Sequence, residues 1–428
     1  MNRSTPTAAV AALATVLGLA ACTGVPPEGA ADTSSDGEVT IRYLVEQLED
    51  ASAEDRLRGR LDEFEAQNPG VTVELNTLPY DTMRTILQTQ LRSGDAPDVF
   101  NWGSGPGFGG ALADAGLLYD LTDEYEERGW EVYPFAKERV TTDDGVVYGI
   151  PGEMETLGVF YNREVFDELG LEEPENLADL ERIADQVKDA GHEPFAVSDQ
   201  EGWQGGHHLS IALSSAVGSE RVTELIEGER PWTSPEVVEA ISLWQDWQQA
   251  DYLTQFPTSV SYDSGNALFF SGEAAMIPMG SWLADAIATT AEFEAGYFPF
   301  PAQDGPGVYS SGLGSGPMIS ATTQHPEESL ALLDFLSTPE HGRWMIENLN
   351  VIPPFPADTD DIDVSPLFGQ VLSDVEKVGT GTGDFGINID VLMDDAFNEA
   401  MSNGMQGIYS DQSTPEEVAQ ALEEASKK

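Results

Sequence analysis

The chain has 428 residues, with 19 Lys or Arg against 76 Asp or Glu, a formal net charge of −57. So one-sided a balance excludes nucleic acid and an anionic membrane surface as partners, because both are held by basic patches. A hydrophobic content of 40% with eight Trp excludes a disordered chain, and the acids are spread along the whole length as a solvated surface, not massed in one tail. Their mutual repulsion is relieved by salt screening, which suggests a host adapted to high salt.

The first residues combine Arg3, an apolar run from Ala8 to Ala21 and the only cysteine, Cys22. The run is too short to span a bilayer and has the length of a secretory h-region. A lone cysteine cannot form an intramolecular disulfide. Leu19-Ala20-Ala21-Cys22 resembles the bacterial lipobox, whose cysteine is lipidated and becomes the new N-terminus; acyl chains at about 0.8 kcal/mol per buried CH₂ would hold the chain on a membrane. Thr23 to Gly37, rich in Pro, Gly, Ser and Asp, reads as a disordered tether. About 390 residues remain, enough for two to three domain-sized units.

Val39 to Val45 is the first predicted strand, with Val39, Ile41 and Tyr43 on one face. Ser52 and Asp55 stand in capping-box positions for a helix with the stripe Leu57, Leu61 and Phe64, ended by Asn68-Pro69-Gly70. Val71, Val73 and Leu75 alternate as a second strand, and a second helix from about Asp81 carries Met83, Leu87 and Leu91 and stops at Gly94. Ala96 to Trp102 is strand chemistry running into Gly103-Ser104-Gly105-Pro106-Gly107. This β-α-β-α-β order predicts a mostly parallel sheet covered by helices, with ligand beyond the carboxyl ends of its strands. The glycine run lacks the Lys-Ser/Thr of a P-loop and the spacing of a dinucleotide fold, so it reads as backbone that comes close to ligand or to another part of the chain.

Asp144-Gly145 is a hairpin turn, Val147 to Ile150 reads as strand, and Pro151-Gly152 interrupts it. Leu157 to Tyr161 is strand again. Glu153 and Glu155 lie in the gap, where burial is costly without a partner. The run Tyr148-Gly149-Ile150-Pro151, then Glu155, then Val159-Phe160-Tyr161-Asn162 resembles the first interlobe crossover of the extracellular solute-binding proteins, the carbohydrate-binding group that includes the maltose-binding proteins. The resemblance implies that Tyr161-Asn162 begins the second lobe and that Glu155 faces sugar. The Pro97-Asp98-Val99-Phe100 segment with Trp102 is also similar, implying a sugar-contacting loop at Trp102 and Ser104. Here Ser104 and Gly105 depart from the side chains that maltose binders carry.

Beyond the crossover, Glu164 to Leu169 and Leu177 to Ala190 are predicted helices and Pro194 to Val197 a strand. Trp203 follows in a glycine-flanked loop, either at a ligand or in the core. Adjacent His207 and His208 point in different directions with no third ligand at metal spacing, so no metal is expected. Ser234 to Tyr252 is a helix whose Trp244 and Trp247 read as core. A short helix, Ala267 to Phe270, and a strand, Ala274 to Met279, lead into Gly280-Ser281-Trp282, which resembles the family segment whose Trp stacks on a sugar ring. Tyr297 to Pro301 fits the return crossover and Leu313 to Ile319, with Gly314, the glycine-rich strand entry after it. Glu327 to Leu336 is helical, and a third crossing is expected near Thr338-Pro339. Asp358, Asp360, Asp361 and Asp363 lack the Gly and final Glu of a calcium loop. Gly379 to Phe385, with Asp384, is a last cleft-facing loop, and Pro415 to Ala425 a final helix.

The resemblance implies an α/β fold of two lobes like the periplasmic binding proteins, each a mostly parallel sheet flanked by helices, joined by hinge crossovers. Its expected limits are 1–21 signal peptide, 22–37 lipidated tether, 38–150 and 300–338 first lobe, 151–299 and 339–428 second lobe. The function it implies is capture of a mono- or oligosaccharide by a monomer lipidated at Cys22 on the outer face of the bacterial cytoplasmic membrane, and delivery to the transmembrane subunits of an ABC importer. No cofactor is expected. Tyr80, Trp102, Ser104, Glu155, Trp203, Trp282, Gly314 and Asp384 are the candidate ligand contacts, with Tyr43 a lesser one. Two other classes stay open: a secreted glycoside-acting enzyme using Glu153, Glu155 or Asp98, and a binder of a cationic osmolyte.

Overall fold

Apolar alternation and helix-ending glycines give the chain its elements. The computed structural model describes residues 38–48, 51–357, 361–379 and 386–427. In chain order, the strands among the described residues are β1 (Val39–Glu46), β2 (Val71–Leu78), β3 (Val99–Trp102), β4 (Met154–Asn162) and β5 (Glu193–Phe195). They continue with β6 (Ala274–Gly280), β7 (Ala295–Phe298), β8 (Ser310–Leu313), β9 (Gly316–Ile319) and β10 (Gly386–Ile387). One sheet has the order β2-β1-β3-β9, parallel except for β9, and the helices Ala51–Gln67 and Tyr80–Ser93 connect its first three strands. Ile41, Leu61, Phe64, Leu87, Phe100 and Leu333 close its core.

The second sheet has the order β10-β8-β4-β6-β5, with β7 also on β4. Its direction is mixed: β4 runs antiparallel to β6, β7 and β8, while β5 is parallel to β6 and β10 to β8. The expected mostly parallel arrangement therefore holds for the first sheet only, because β4 enters the second lobe from the crossover against the direction of the strands beside it. β4 is buried on both faces, as a central strand covered by helices must be. The period of two divides its side chains between layers: Leu157, Val159 and Tyr161 enter one core with Trp244 and Trp247, Met154 and Phe160 another with Ile277 and Phe368.

Among the described residues the chain passes between the sheets three times, and these passages lie side by side. Ile150 N–H donates to Pro317 O at 3.0 Å, Gly314 N–H to Glu153 O at 2.9 Å and Met154 N–H to Ile352 O at 2.7 Å. Several expectations change here. Tyr297 to Pro301 is no crossover: β7 is a sheet edge paired with β4, and the return comes at Gly314-Ser315. Ser310–Leu313 accordingly belongs to the second sheet, not to a first lobe spanning 300–338. The helix Pro339–Leu349 is itself the third passage, with His341 against Arg60 and Phe335 and with Ile346 in a second-lobe core, so it does not belong wholly to either side. Within the expected first lobe, the Pro134–Arg139 helix places Ala136 in that same second-lobe core. Val147 makes a single bridge to Thr141 across the Gly145 turn instead of starting a strand. Ser52 lies inside the first helix, not at its cap.

Candidate functional site

The carboxyl ends of β1, β2 and β3 deliver Glu46, Tyr80 and Trp102 to one side of a cleft of about 1240 Å³. On the other side β5, β6, β8 and β10 also end at the cleft, and antiparallel β4 begins there, which brings Glu153 and Glu155 to its floor beside Gly314. Strand direction, more than local sequence, thus gathers the lining.

Each side presents an aromatic wall. On the first, Tyr80 and Trp102 have ring centroids 6.0 Å apart and Phe108 meets Trp102 edge-on at 6.5 Å. Arg84 lies over Tyr80 at 5.8 Å and over Phe108 at 6.0 Å. Burial holds the Tyr80 phenol well above its ordinary pKa, so it is a neutral hydroxyl. On the second side, Trp203 packs at 5.1 Å against both Tyr262 and His207 and at 6.5 Å against Trp282. Trp282 Nε1 donates to the Tyr262 hydroxyl at 3.0 Å, fixing the ring. Trp282 folds back over Gly280 so closely that a Cβ there would lie 1.8 Å from the indole, so only glycine allows this ring position.

Polar groups converge between the walls. Tyr43 donates to Asn101 Oδ1 at 2.8 Å. His207 Nε2 lies 3.2 Å from Asp390 Oδ2 and 3.3 Å from Asn388 Nδ2. Burial raises the pKa of Glu153. Glu155 is raised well above the ordinary carboxylate range, first by burial and then by the charges of Glu153, Asp390 and Glu46. Among the described residues no group of three or more His, Cys, Asp or Glu is placed to hold a metal ion.

Of the residues named from sequence, Tyr80, Trp102, Glu155, Trp203, Trp282 and Gly314 line this cleft, as does Tyr43. Ser104 does not. It is 1% exposed, one step inside the glycine loop whose neighbours Gly103, Gly107 and Phe108 do face the opening. Asp384 and Cys22 lie outside the described residues. Asp98, a carboxylate of the enzyme reading, is buried elsewhere: it accepts from the Arg42 backbone at 2.9 Å and from Thr323 Oγ1 at 2.7 Å. His208 is likewise internal, 2.7 Å from the Tyr409 hydroxyl.

Sequence reasoning missed Asn101, His207, Tyr262, Asn388 and Asp390 as cleft residues. For Asn101 a signal existed, since it precedes Trp102 at a strand end. Tyr262 and Asp390 carry no local signal and arrive through long-range pairing.

The family profile described as bacterial extracellular solute-binding protein matches residues 48–343. The "Multiple sugar-binding protein" of Streptococcus mutans is 28% identical over 334 residues, covering 75% of each chain. A solved "Chitin oligosaccharide binding protein" superposes with a TM-score of 0.79 at 22% identity, over 91% of this chain and 98% of its own. The structure of "SBP RafE in complex with raffinose" superposes at 0.72 with 20% identity, over 91% and 100%. These structures share the two-lobe fold with its central cleft. A profile match that runs from the end of β1 through both sheets and past the second crossover shows that the chain belongs to the bacterial extracellular solute-binding proteins.

Proposed function

We propose that the chain captures a carbohydrate between its lobes and delivers it, intact, to the transmembrane subunits of an ABC importer. One observation carries this reading: flat aromatic faces stand on both sides of a cleft whose floor holds hydrogen-bonding groups. Sugar rings have apolar faces that stack on such rings and a rim of hydroxyls that needs fixed donors and acceptors. Neutral hydrogen bonds contribute about 1 kcal/mol each and those to charged groups roughly 1.5–3 kcal/mol. At about 1240 Å³ the cleft exceeds the roughly 300–1,000 Å³ of ordinary small-molecule sites, which favours an oligosaccharide over a single ring. The two sheets with their cores act as the moving bodies, and closure about the three laced passages presents a joint surface to the permease. The placement of the carboxylates supports binding without turnover. Glu153 and Glu155 stand two residues apart on one extended segment and so on the same side, whereas glycoside hydrolysis needs a pair flanking the scissile bond.

The cysteine of Leu19-Ala20-Ala21-Cys22 supplies the membrane anchor in this reading, and Cys22→Ser moves the chain from the membrane to the soluble fraction. That soluble form, titrated with a panel of neutral and charged mono- and oligosaccharides, tests the assignment. Binding of one saccharide class, weakened at least about tenfold (about 1.4 kcal/mol) in Trp282→Ala, is expected. Silence across the panel, or release of a hydrolysed product, overturns it.

A further inference from the structure

The floor of the cleft brings carboxyl groups together in a way that a neutral sugar does not require. Glu153 and Glu155 sit side by side on its floor: a Cβ on Gly314 would lie 2.4 Å from Glu155 Oε1 and 2.7 Å from Glu153 Oε1. Asp390, on the segment after β10, adds a third carboxylate that acts on Glu155, and Glu46, the last residue of β1, acts on it more weakly. The surface acidity of this chain does not account for them. Surface carboxylates are solvated at little cost, whereas in a recess burial raises the pKa of both Glu153 and Glu155 and like charges repel, which leaves a pair that a cationic group would let ionise. Among the described residues no Lys or Arg is placed beside Glu153 or Glu155. Arg84 is the only Arg or Lys among the described residues lining the cleft, and its guanidinium lies over Tyr80 and Phe108 on the first wall. No cation of the chain is among the groups acting on Glu153 or Glu155. A metal ion is not the answer among the described residues, because no cluster has the geometry to hold one.

The second observation is what surrounds the pair. Trp203, Tyr262 and Trp282 line the same cleft on the second lobe, and Tyr80 and Trp102 on the first. The faces of such rings attract cations as well as sugar rings, by up to about 2 kcal/mol when water is excluded. A ligand with ring faces and a positive charge would use both features at once.

We infer that the cleft selects a saccharide bearing a protonated amine, whose ammonium is held by Glu153 and Glu155 at the crossover while its rings lie between the aromatic walls. This rests on the carbohydrate reading above. It narrows that reading to basic sugars with the charge near Gly314.

The test compares ligands that differ in charge and little else. The Cys22→Ser protein is titrated calorimetrically with the β-1,4-linked glucosamine dimer, its di-N-acetylated form and cellobiose. About 0.5 M NaCl suppresses loose attraction to the acidic surface. The amine dimer is expected to bind at least about tenfold tighter than either neutral dimer, with one site per chain. In Glu155→Gln the preference falls to near one, and Glu153→Gln, an independent variant, also reduces it. Glu126→Gln, the same charge change at an exposed position of the Thr122–Arg128 helix, keeps it. Equal or tighter binding of the neutral dimers overturns the inference and leaves the carbohydrate reading standing. A preference that survives in both Glu155→Gln and Glu153→Gln, with each variant melting like the parent, also overturns it. Absence of binding by all three dimers and by the wider saccharide panel overturns both.

Discussion

Asp199 is a residue whose chemistry is decided by its surroundings. It is fully buried after β5, accepts the Gly205 N–H at 2.9 Å through Oδ1, and its Oδ2 has no hydrogen-bond partner. Burial is the main cause that pushes its pKa up to about 8, the Gly205 hydrogen bond opposes it and the charge of Glu201 adds to it; Tyr409 also faces it. The unfolded value is near 3.9. Between these limits the folded chain binds a proton that the unfolded chain does not, so this group favours folding in acid and loses its contribution as pH rises from about 4 through about 8. Asp199→Asn, a neutral isostere of the protonated form, should therefore flatten that part of the stability profile. Denaturant melts of parent and variant at pH 5 and pH 9 are expected to show the difference moving in the variant's favour by a few kcal/mol at the higher pH. A constant difference across that range would mean that Asp199 ionises freely in the folded protein. Because the reading compares two chains with the same surface, general charge repulsion cancels from it.

The crossover segments show how little space the fold leaves between its halves. A Cβ on Gly152 would lie 2.2 Å from Gly314 O and 2.6 Å from the Ser315 carbonyl carbon, so backbone and not a flexible side chain would have to move. Gly152→Ala is expected to destabilise the chain by about 1–3 kcal/mol, as overpacking of a tight contact does. Gly59→Ala should do the opposite. Gly59 lies within the Ala51–Gln67 helix with nothing within 4 Å of the added methyl, and alanine gains roughly 0.5–1 kcal/mol there. Paired denaturant melts check both signs, and a neutral Gly152→Ala would show that the passages are slack. The contrast also explains what could be read from sequence. Elements defined by their own residues are legible: Leu177–Ala190 has its predicted bounds, and the helix beginning at Tyr80 buries Met83, Leu87 and Leu91 and stops at Gly94 in the left-handed conformation. Elements defined by a distant partner are not. Nothing within Ala295–Phe298 says that it will pair with Gly296 opposite Tyr161, so an extended Phe-Pro segment looks like a crossing. The site divides the same way. The tryptophans stand at or after recognisable strand ends and Glu155 at the start of a strand, whereas Tyr262, Asn388 and Asp390 are brought to them only by long-range pairing.

At the scale of the whole molecule, charge sets the conditions under which these parts hold together. With 76 acids against 19 Lys and Arg, most carboxylates have no cation available to them. The structure uses its few cations more than once. Arg58 reaches Asp62 at 2.9 Å and Glu65 at 2.7 Å, and Arg128 reaches Glu124 and Asp334 at 2.6 Å each. Such partly exposed pairs contribute about 0–1 kcal/mol apiece and weaken when salt screens them. The repulsion among the remaining acids is screened by the same salt, and it is summed over far more groups. The Debye length falls from roughly 10 Å at 0.1 M to about 3 Å at 1 M, below the separation of most surface charges. Repulsion therefore outweighs the ion pairs in the balance, and the melting temperature should rise by several degrees from about 0.1 M to about 1 M NaCl. Choline chloride should act as NaCl does at equal ionic strength, since the effect is screening and not occupancy of the cleft. A melting temperature that stays flat or falls would mean that the acids are already compensated, and one that rises only with choline would assign the gain to cation binding between the aromatic walls.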